Sequence, residues 1–72
     1  MQTVTIKNSE LTNGHVIVTR SERGNVLATH VVQKVSRVCS DPSNVHVSAR
    51  DRKTNGTVAW CMFDNAESEV TL

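Results

Sequence analysis

The sequence predicts a single all-β domain over residues 1–72, in which five to six short antiparallel strands form a small, partly open barrel. Three observations support this. Valine supplies twelve positions and threonine is abundant, and β-branched side chains pack well on a pleated sheet but are restricted in a helix. Short apolar–polar alternations recur between turn residues. A chain of 72 residues has no room for a second domain or for crossover helices.

The N-terminal half contains two predicted strands. In residues 3–7, Val4 and Ile6 alternate with polar residues, and residues 15–19 form a valine-rich second strand. The intervening residues 8–14 are rich in turn formers, with Leu11 as their single apolar anchor. Asn13-Gly14 in that segment is able to adopt positive φ, and a second turn with Gly24 and Asn25 follows at residues 21–25.

Residues 26–39 fit two structures. Val31, Val35 and Val38 recur at the spacing of one helix face. The same segment is rich in β-branched residues, which favour a strand. We expect a long, bent strand, or two strands that meet near residues 30–32, with a helix as the alternative.

The C-terminal half predicts a hairpin followed by a closing strand. Residues 41–44 form a turn, since proline presets φ and Asp or Asn side chains bond the local backbone. Asn55-Gly56 is the favoured sequence of a two-residue hairpin turn, so residues 45–52 and 57–63 should pair antiparallel. Residues 68–72 form the closing strand.

The strand at residues 57–63 carries apolar side chains on both faces. Val58, Trp60 and Met62 should lie on one face, and Phe63 on the other. These four residues are the candidate interface for a protein partner or for self-association, because Trp, Met and Phe are enriched in interfaces. The alternative is a central strand covered on both faces, which leaves open whether Trp60 belongs to the core or to an interface.

A second candidate surface is basic. Nucleic-acid binding through a basic hairpin face would use Arg20, Arg23, Arg37, Arg50, Arg52 and Lys53. The net charge of +1 gives no support from the chain as a whole. The competing interpretation is a solvated hairpin tip that protects a sheet edge.

The residues suggest neither catalysis nor cofactor binding. Histidines 15, 30 and 46 and cysteines 39 and 61 show no close pair of the kind that zinc sites use. No nucleophile motif or phosphate loop is present. We therefore expect no enzyme activity, no cofactor and no metal. With no secretory signal or membrane span, the expected location is cytoplasmic, with both cysteines reduced and the cysteines acting as small core residues.

The pattern of the chain resembles that of SH3-like barrels. Residues 11–18 match their leucine, two residues, glycine and valine-rich strand, although His15 stands where aspartate is usual. Residues 32–38, 45–49, 55–56, 60–63 and Val70 resemble small SH3-like proteins of bacteriophage genomes. The resemblance implies a binding scaffold without activity: an accessory protein acting on a host protein in the host cytoplasm, or a homo-oligomeric subunit. The aromatic cluster that binds proline-rich peptides is missing.

Overall fold

The computed structural model describes residues 2–37 and 43–71, and it confirms the all-β prediction. Six antiparallel strands form one open sheet. A single 3-10 turn, Asn8–Glu10, follows the first strand. The strands are β1 (Thr3–Lys7), β2 (Val16–Arg20), β3 (Val26–Ser36), β4 (Asn44–Asp51), β5 (Thr57–Phe63) and β6 (Glu67–Thr71).

The strand order is β1-β6-β2-β3-β4-β5. Strands β2 to β5 follow one another as hairpins, and β6 returns to lie between β1 and β2. The β2–β6 pairing contains only Ile17 opposite Val70, so these two strands diverge beyond that point. The sheet ends at β1 and β5, and the barrel is therefore partly open.

Strand β3 decides between the strand and the helix predicted for residues 26–39. It is one strand of eleven residues, and its register with β4 shifts between Val32 and Lys34. Such a shift bends a strand, because one extra residue is accommodated on one side of the ladder. The bent-strand prediction is confirmed and the helix alternative is wrong over 26–36. Val38, Cys39 and residues 41–42 of the turn predicted at 41–44 lie outside the described residues.

The β4–β5 hairpin forms as predicted, but its turn is longer than two residues. Among the turn residues, Asn55 has φ of 63°, whereas Gly56 is not in the positive-φ region. The Asp51 N–H donates to the Gly56 carbonyl at 2.8 Å, which leaves four residues in the loop. Asp51 explains the difference, since its Oδ1 accepts the N–H groups of Lys53 (2.8 Å) and Thr54 (3.1 Å) and stabilises the wider loop.

The core is a small valine-rich layer on the inner face of the sheet. Leu11, the anchor predicted for the first loop, is 3% exposed. Half-buried side chains from β1, β3 and β5 pack against this layer. The buried members of the cluster are Leu11, Ile17, Val32, Val45, Val47, Ala49 and Val70.

Asn8 is the one buried polar residue among those described, and it joins three parts of the chain. Its Nδ2 donates to the Phe63 carbonyl at 2.8 Å, and its backbone N–H donates to the Ala66 carbonyl at 2.8 Å. Its Oδ1 accepts the Ser68 hydroxyl. A buried amide with these partners fixes the 3-10 turn against the β5–β6 turn and so closes one end of the barrel.

Candidate functional site

Strand β5 is an edge strand that contains no charged residue. Its sequence is Thr-Val-Ala-Trp-Cys-Met-Phe, whereas the other edge strand, β1, carries Lys7. Natural proteins usually protect an exposed edge with charges, prolines or bulges, because its free backbone groups are a template for another strand. The interpretation of residues 57–63 as a central strand is therefore wrong, since among the described residues β5 pairs with β4 alone and ends the sheet.

The two faces of β5 have the predicted composition. Val58, Trp60 and Met62 lie opposite Ala49, Val47 and Val45 of β4, which are fully buried, so they occupy the inner face. Phe63 lies on the outer face and is 65% exposed. Val58 remains 42% exposed even on the inner face, so one side of this strand is incompletely covered.

Hydrogen bonds at the two ends of the β4–β5 ladder show how the backbone of β5 is oriented. The Asp51–Gly56 bond lies at one end, and at the other the Asp64 N–H donates to the Ser43 carbonyl at 2.9 Å. Hydrogen-bonded and non-hydrogen-bonded pairs alternate along an antiparallel ladder. The even-numbered residues of β5 therefore bond to β4, and the odd-numbered residues direct their N–H and C=O groups to the free edge.

The free edge is closed at one end and open at the other. At the closed end, the Phe63 carbonyl accepts Asn8 Nδ2 (2.8 Å) and the Ala66 N–H (3.2 Å). At the open end, the outward backbone groups of Thr57 and Ala59 meet no partner among the residues described. Thr57 to Ala59 therefore offers backbone donors and acceptors for one additional strand.

An open cleft of about 500 Å³ lies beside the inner face of β5. Strands β2, β3 and β6 form its other walls, in the region where β2 and β6 diverge. Trp60 is half-buried, packs against the valine core and also lines the cleft, so it serves both the core and the candidate surface. Other side chains along the cleft include Ile17, His30, Val58, Met62 and Ser68.

His30 joins the cleft to the β4–β5 turn. Its ring meets the Trp60 ring edge-on, with 5.6 Å between centroids, and its Nε2 lies 3.6 Å from Asp51 Oδ2. The turn N–H groups of Lys53 and Thr54 are the main cause of a lowered pKa for the Asp51 carboxyl, and the nearby His30 adds to it. The alternation of β3 alone could not reveal this contact, because it depends on the bulge-shifted register with β4.

A charged cluster that lines the cleft, formed by Arg20 of β2 and Glu69 of β6, joins these two strands. Arg20 Nε and Nη2 donate to Glu69 Oε1 and Oε2 at 2.7 and 2.8 Å, and Arg20 Nη1 donates to the Gly24 carbonyl at 2.8 Å. Thr3 Oγ1 donates to Glu69 Oε2 at 2.6 Å. These bonds, first those from Arg20, lower the pKa of Glu69 to about 2. Arg20 thus holds β2 to β6 where the backbone ladder is missing.

This cluster makes stability depend on acid pH. The pKa of Glu69 in the folded state lies below its usual 4.5, so the ionised Glu69 stabilises the fold above about pH 4.5. This stabilisation is lost as the pH falls toward 2. Replacing Arg20→Gln should reduce this acid-dependent loss, as measured by thermal midpoints between pH 7 and 2.5. Glu67→Gln is the matched control on the same strand, since Glu67 makes no ion pair with the described residues. If the thermal midpoint of Arg20→Gln decreases between pH 7 and 2.5 by as much as that of the parent, this account is contradicted.

Of the six basic residues predicted for nucleic-acid binding, Arg37 lies at the opposite end of β3 from the β4–β5 turn that contains Arg52 and Lys53. Arg20 is bound to Glu69, and Arg37 binds Asp64 at 3.2 Å beyond the far end of β3. The Arg52 N–H donates to the Thr29 carbonyl at 3.0 Å, and the eight residues of extended strand from Thr29 to Arg37 correspond to roughly 25 Å. Arg23 lies in the β2–β3 turn. Arg50, Arg52 and Lys53 are exposed at the end of β4 and in the turn that follows.

Cys61 corrects one expectation. It is exposed on β5 and disulfide-bonded, so it is neither a small core residue nor a reduced thiol. The chain has one other cysteine, Cys39, which lies outside the described residues. Disulfides persist in oxidising compartments and are rare in the cytosol, so this bond weighs against the predicted cytoplasmic location.

The remaining findings concern metals, membranes and relatives. Within residues 2–37 and 43–71, no three His, Cys, Asp or Glu side chains cluster as metal ligands would. The same ranges contain no helix long and apolar enough to cross a membrane. No protein-family model matches the chain, and no curated protein is significantly similar to it.

Proposed function

We propose that this protein is a small, non-enzymatic binding module that takes up an extended segment of a protein partner along β5. One observation carries the proposal: an uncharged edge strand directs the backbone groups of Thr57 and Ala59 to solvent. Addition of a strand to such an edge is a common mode of peptide recognition, in which backbone hydrogen bonds supply affinity and adjacent pockets supply specificity.

The cleft provides the adjacent pocket that gives strand addition its specificity. Side chains alternate along an added strand, so every second one would project over the inner face of β5. There it would meet Val58 and Trp60 beside the cleft of about 500 Å³. Apolar side chains suit Val58, Trp60 and Met62, whereas the Arg20–Glu69 ion pair lines the β2–β6 side of the cleft. Trp60 would be the main contributor to binding energy. Phe63 contributes exposed apolar area on the outer face.

A proline at position 59 tests the backbone contact. Ala59→Pro removes an outward N–H and leaves the β4–β5 ladder intact, so the variant should fold but lose partner binding at least tenfold. A displayed library of random decapeptides serves as the probe, and peptides selected by the parent chain are then titrated against the variant. Far-UV circular dichroism and the thermal midpoint verify the fold.

Ala59→Val is the matched control, because it keeps the N–H at the same position and should retain the selected peptides. If Ala59→Pro does not fold, a synthetic chain with an N-methylated Ala59 removes the same donor without the proline ring. Selected peptides that bind the proline or N-methyl variant as tightly as the parent would overturn strand addition. A parent chain that stays monomeric and yields no binder from the library would also count against the proposal.

Nucleic-acid binding is the second candidate, and it rests on the exposed Arg50, Arg52 and Lys53. It is weaker because Arg20 and Arg37 are already engaged in ion pairs. A fluorescent single-stranded oligonucleotide titrated at 50 and 200 mM salt separates the two candidates. Affinity that falls steeply with salt supports nucleic acid, and no binding at 50 mM removes it. The phage accessory role is a further proposal, based on the SH3-like resemblance alone.

A further inference from the structure

We infer that the partner strand is β5 of a second copy of this chain, paired antiparallel about a two-fold axis near Val58. The inference rests on the proposed strand addition and names its occupant. Two features of the described residues support it: the absence of charge along β5, and the opposite charges of the segments at its two ends.

The backbone of the open end is compatible with its own copy. Pairing centred on Val58 sets Thr57 opposite Ala59 of the second copy, and the two-fold axis repeats this pair. Both residues direct their N–H and C=O groups to the edge. Their small side chains allow close approach, and no like charges oppose each other along the strand. On the inner face, Val58 would cover its counterpart beside the cleft.

The segments that flank β5 carry opposite charges. Before it lies the basic turn, Arg52 and Lys53, both exposed and without an ion pair among the described residues. After it lies the acidic end, defined as Glu10, Asp64 and Glu67. The Ser9 N–H donates to the Asp64 carbonyl at 3.2 Å, which brings the turn that contains Glu10 against the β5–β6 turn.

Antiparallel pairing brings these oppositely charged segments together twice. The two-fold axis reverses the direction of the second β5, so the β4–β5 turn of each copy lies toward the β5–β6 turn of the other. Two basic residues, Lys7 and Arg37, also lie at the acidic end, and Arg37 is bound to Asp64. Three acidic and two basic residues leave this end with one net negative charge. The basic turn of each copy thus lies near the acidic end of the other.

A pair of charge-reversed variants tests this arrangement. Variant one is Arg52→Glu with Lys53→Glu, and variant two is Glu10→Lys with Glu67→Lys. Each homodimer then opposes like charges, and its dissociation constant should rise about tenfold or more in low salt. In an equimolar mixture, the acidic turn of variant one meets the basic end of variant two, and the basic turn of variant two meets the acidic end of variant one. Dimers should therefore form again. Sedimentation velocity from about 1 to 500 μM measures each case.

The outcomes separate this inference from the proposed function. A dimeric parent, weakened single variants and a restored mixture support it. A parent chain that stays monomeric at 500 μM overturns it, and selected peptides that still require the Ala59 N–H would then identify a different protein as the partner. Variants that dimerise as tightly as the parent also overturn it, because the interface would lie elsewhere. Thermal midpoints of all variants exclude unfolding as the cause of dissociation.

Discussion

Asn8→Ala is expected to lower the free energy of unfolding by about 1–3 kcal/mol, which is the usual cost of breaking a buried hydrogen-bond network. The change removes the donor to the Phe63 carbonyl and the acceptor of the Ser68 hydroxyl. A domain of this size is only marginally stable, so the loss corresponds to a decrease of roughly 5–20 °C in the thermal midpoint. Thermal and urea unfolding followed by circular dichroism measure it.

Ser9→Ala provides the control in the same 3-10 turn, where the side chain is exposed. It should change stability by less than about 0.5 kcal/mol. Asn8→Ala should also make the Phe63 end of the β5 edge more accessible, since the Asn8 side chain donates a hydrogen bond to the outward carbonyl of Phe63. Faster amide exchange at Ser9 and Ala66 in a folded variant would report this change. Equal midpoints for the two variants would show that the closure does not depend on the Asn8 amide.

Much of the fold could be predicted because each strand has its own local signal. Valine alternation indicates β2 and β4 even in isolation, and Gly14 and Gly24 occur at turns with φ of 101° and 85°. The order of the strands has no such signal. That β6 inserts between β1 and β2 depends on contacts such as Thr3 with Glu69, which are 66 residues apart in sequence. The β4–β5 turn was mispredicted because Asp51 competes with the Asn-Gly preference.

The candidate site could be predicted in composition but not in position. The residues Val58, Trp60 and Met62 were correctly assigned to one face, because alternation is a local property. Whether that strand is central or at an edge depends on the sheet order, and so does the orientation of its backbone. The basic residues were grouped by sequence alone. The structure places Arg37 apart from the β4–β5 turn, and it pairs Arg20 and Arg37 with carboxylates on β6 and in the β5–β6 turn.

Reduction of the Cys61 disulfide is expected to have the largest effect on stability among these predictions. Disulfides in small domains contribute about 2–4 kcal/mol, mainly because they restrict the unfolded chain. The reduced protein should therefore unfold roughly 10–25 °C below the oxidised protein. Calorimetry with and without a phosphine reductant measures the difference, and mass spectrometry after thiol labelling verifies the redox state.

Cys61→Ser separates the bond from any general effect of the reductant. The variant should unfold at the temperature of the reduced parent, and adding reductant should not lower it further. Coincident midpoints for the oxidised and reduced parent would show that the bond contributes nothing to stability. The same comparison bears on the compartment, because cytosolic thiol systems keep such bonds reduced. If the reduced chain is unfolded at 37 °C, a cytoplasmic role is excluded, since β5 would no longer present an ordered edge. If it remains folded, the proposed strand addition is compatible with either compartment.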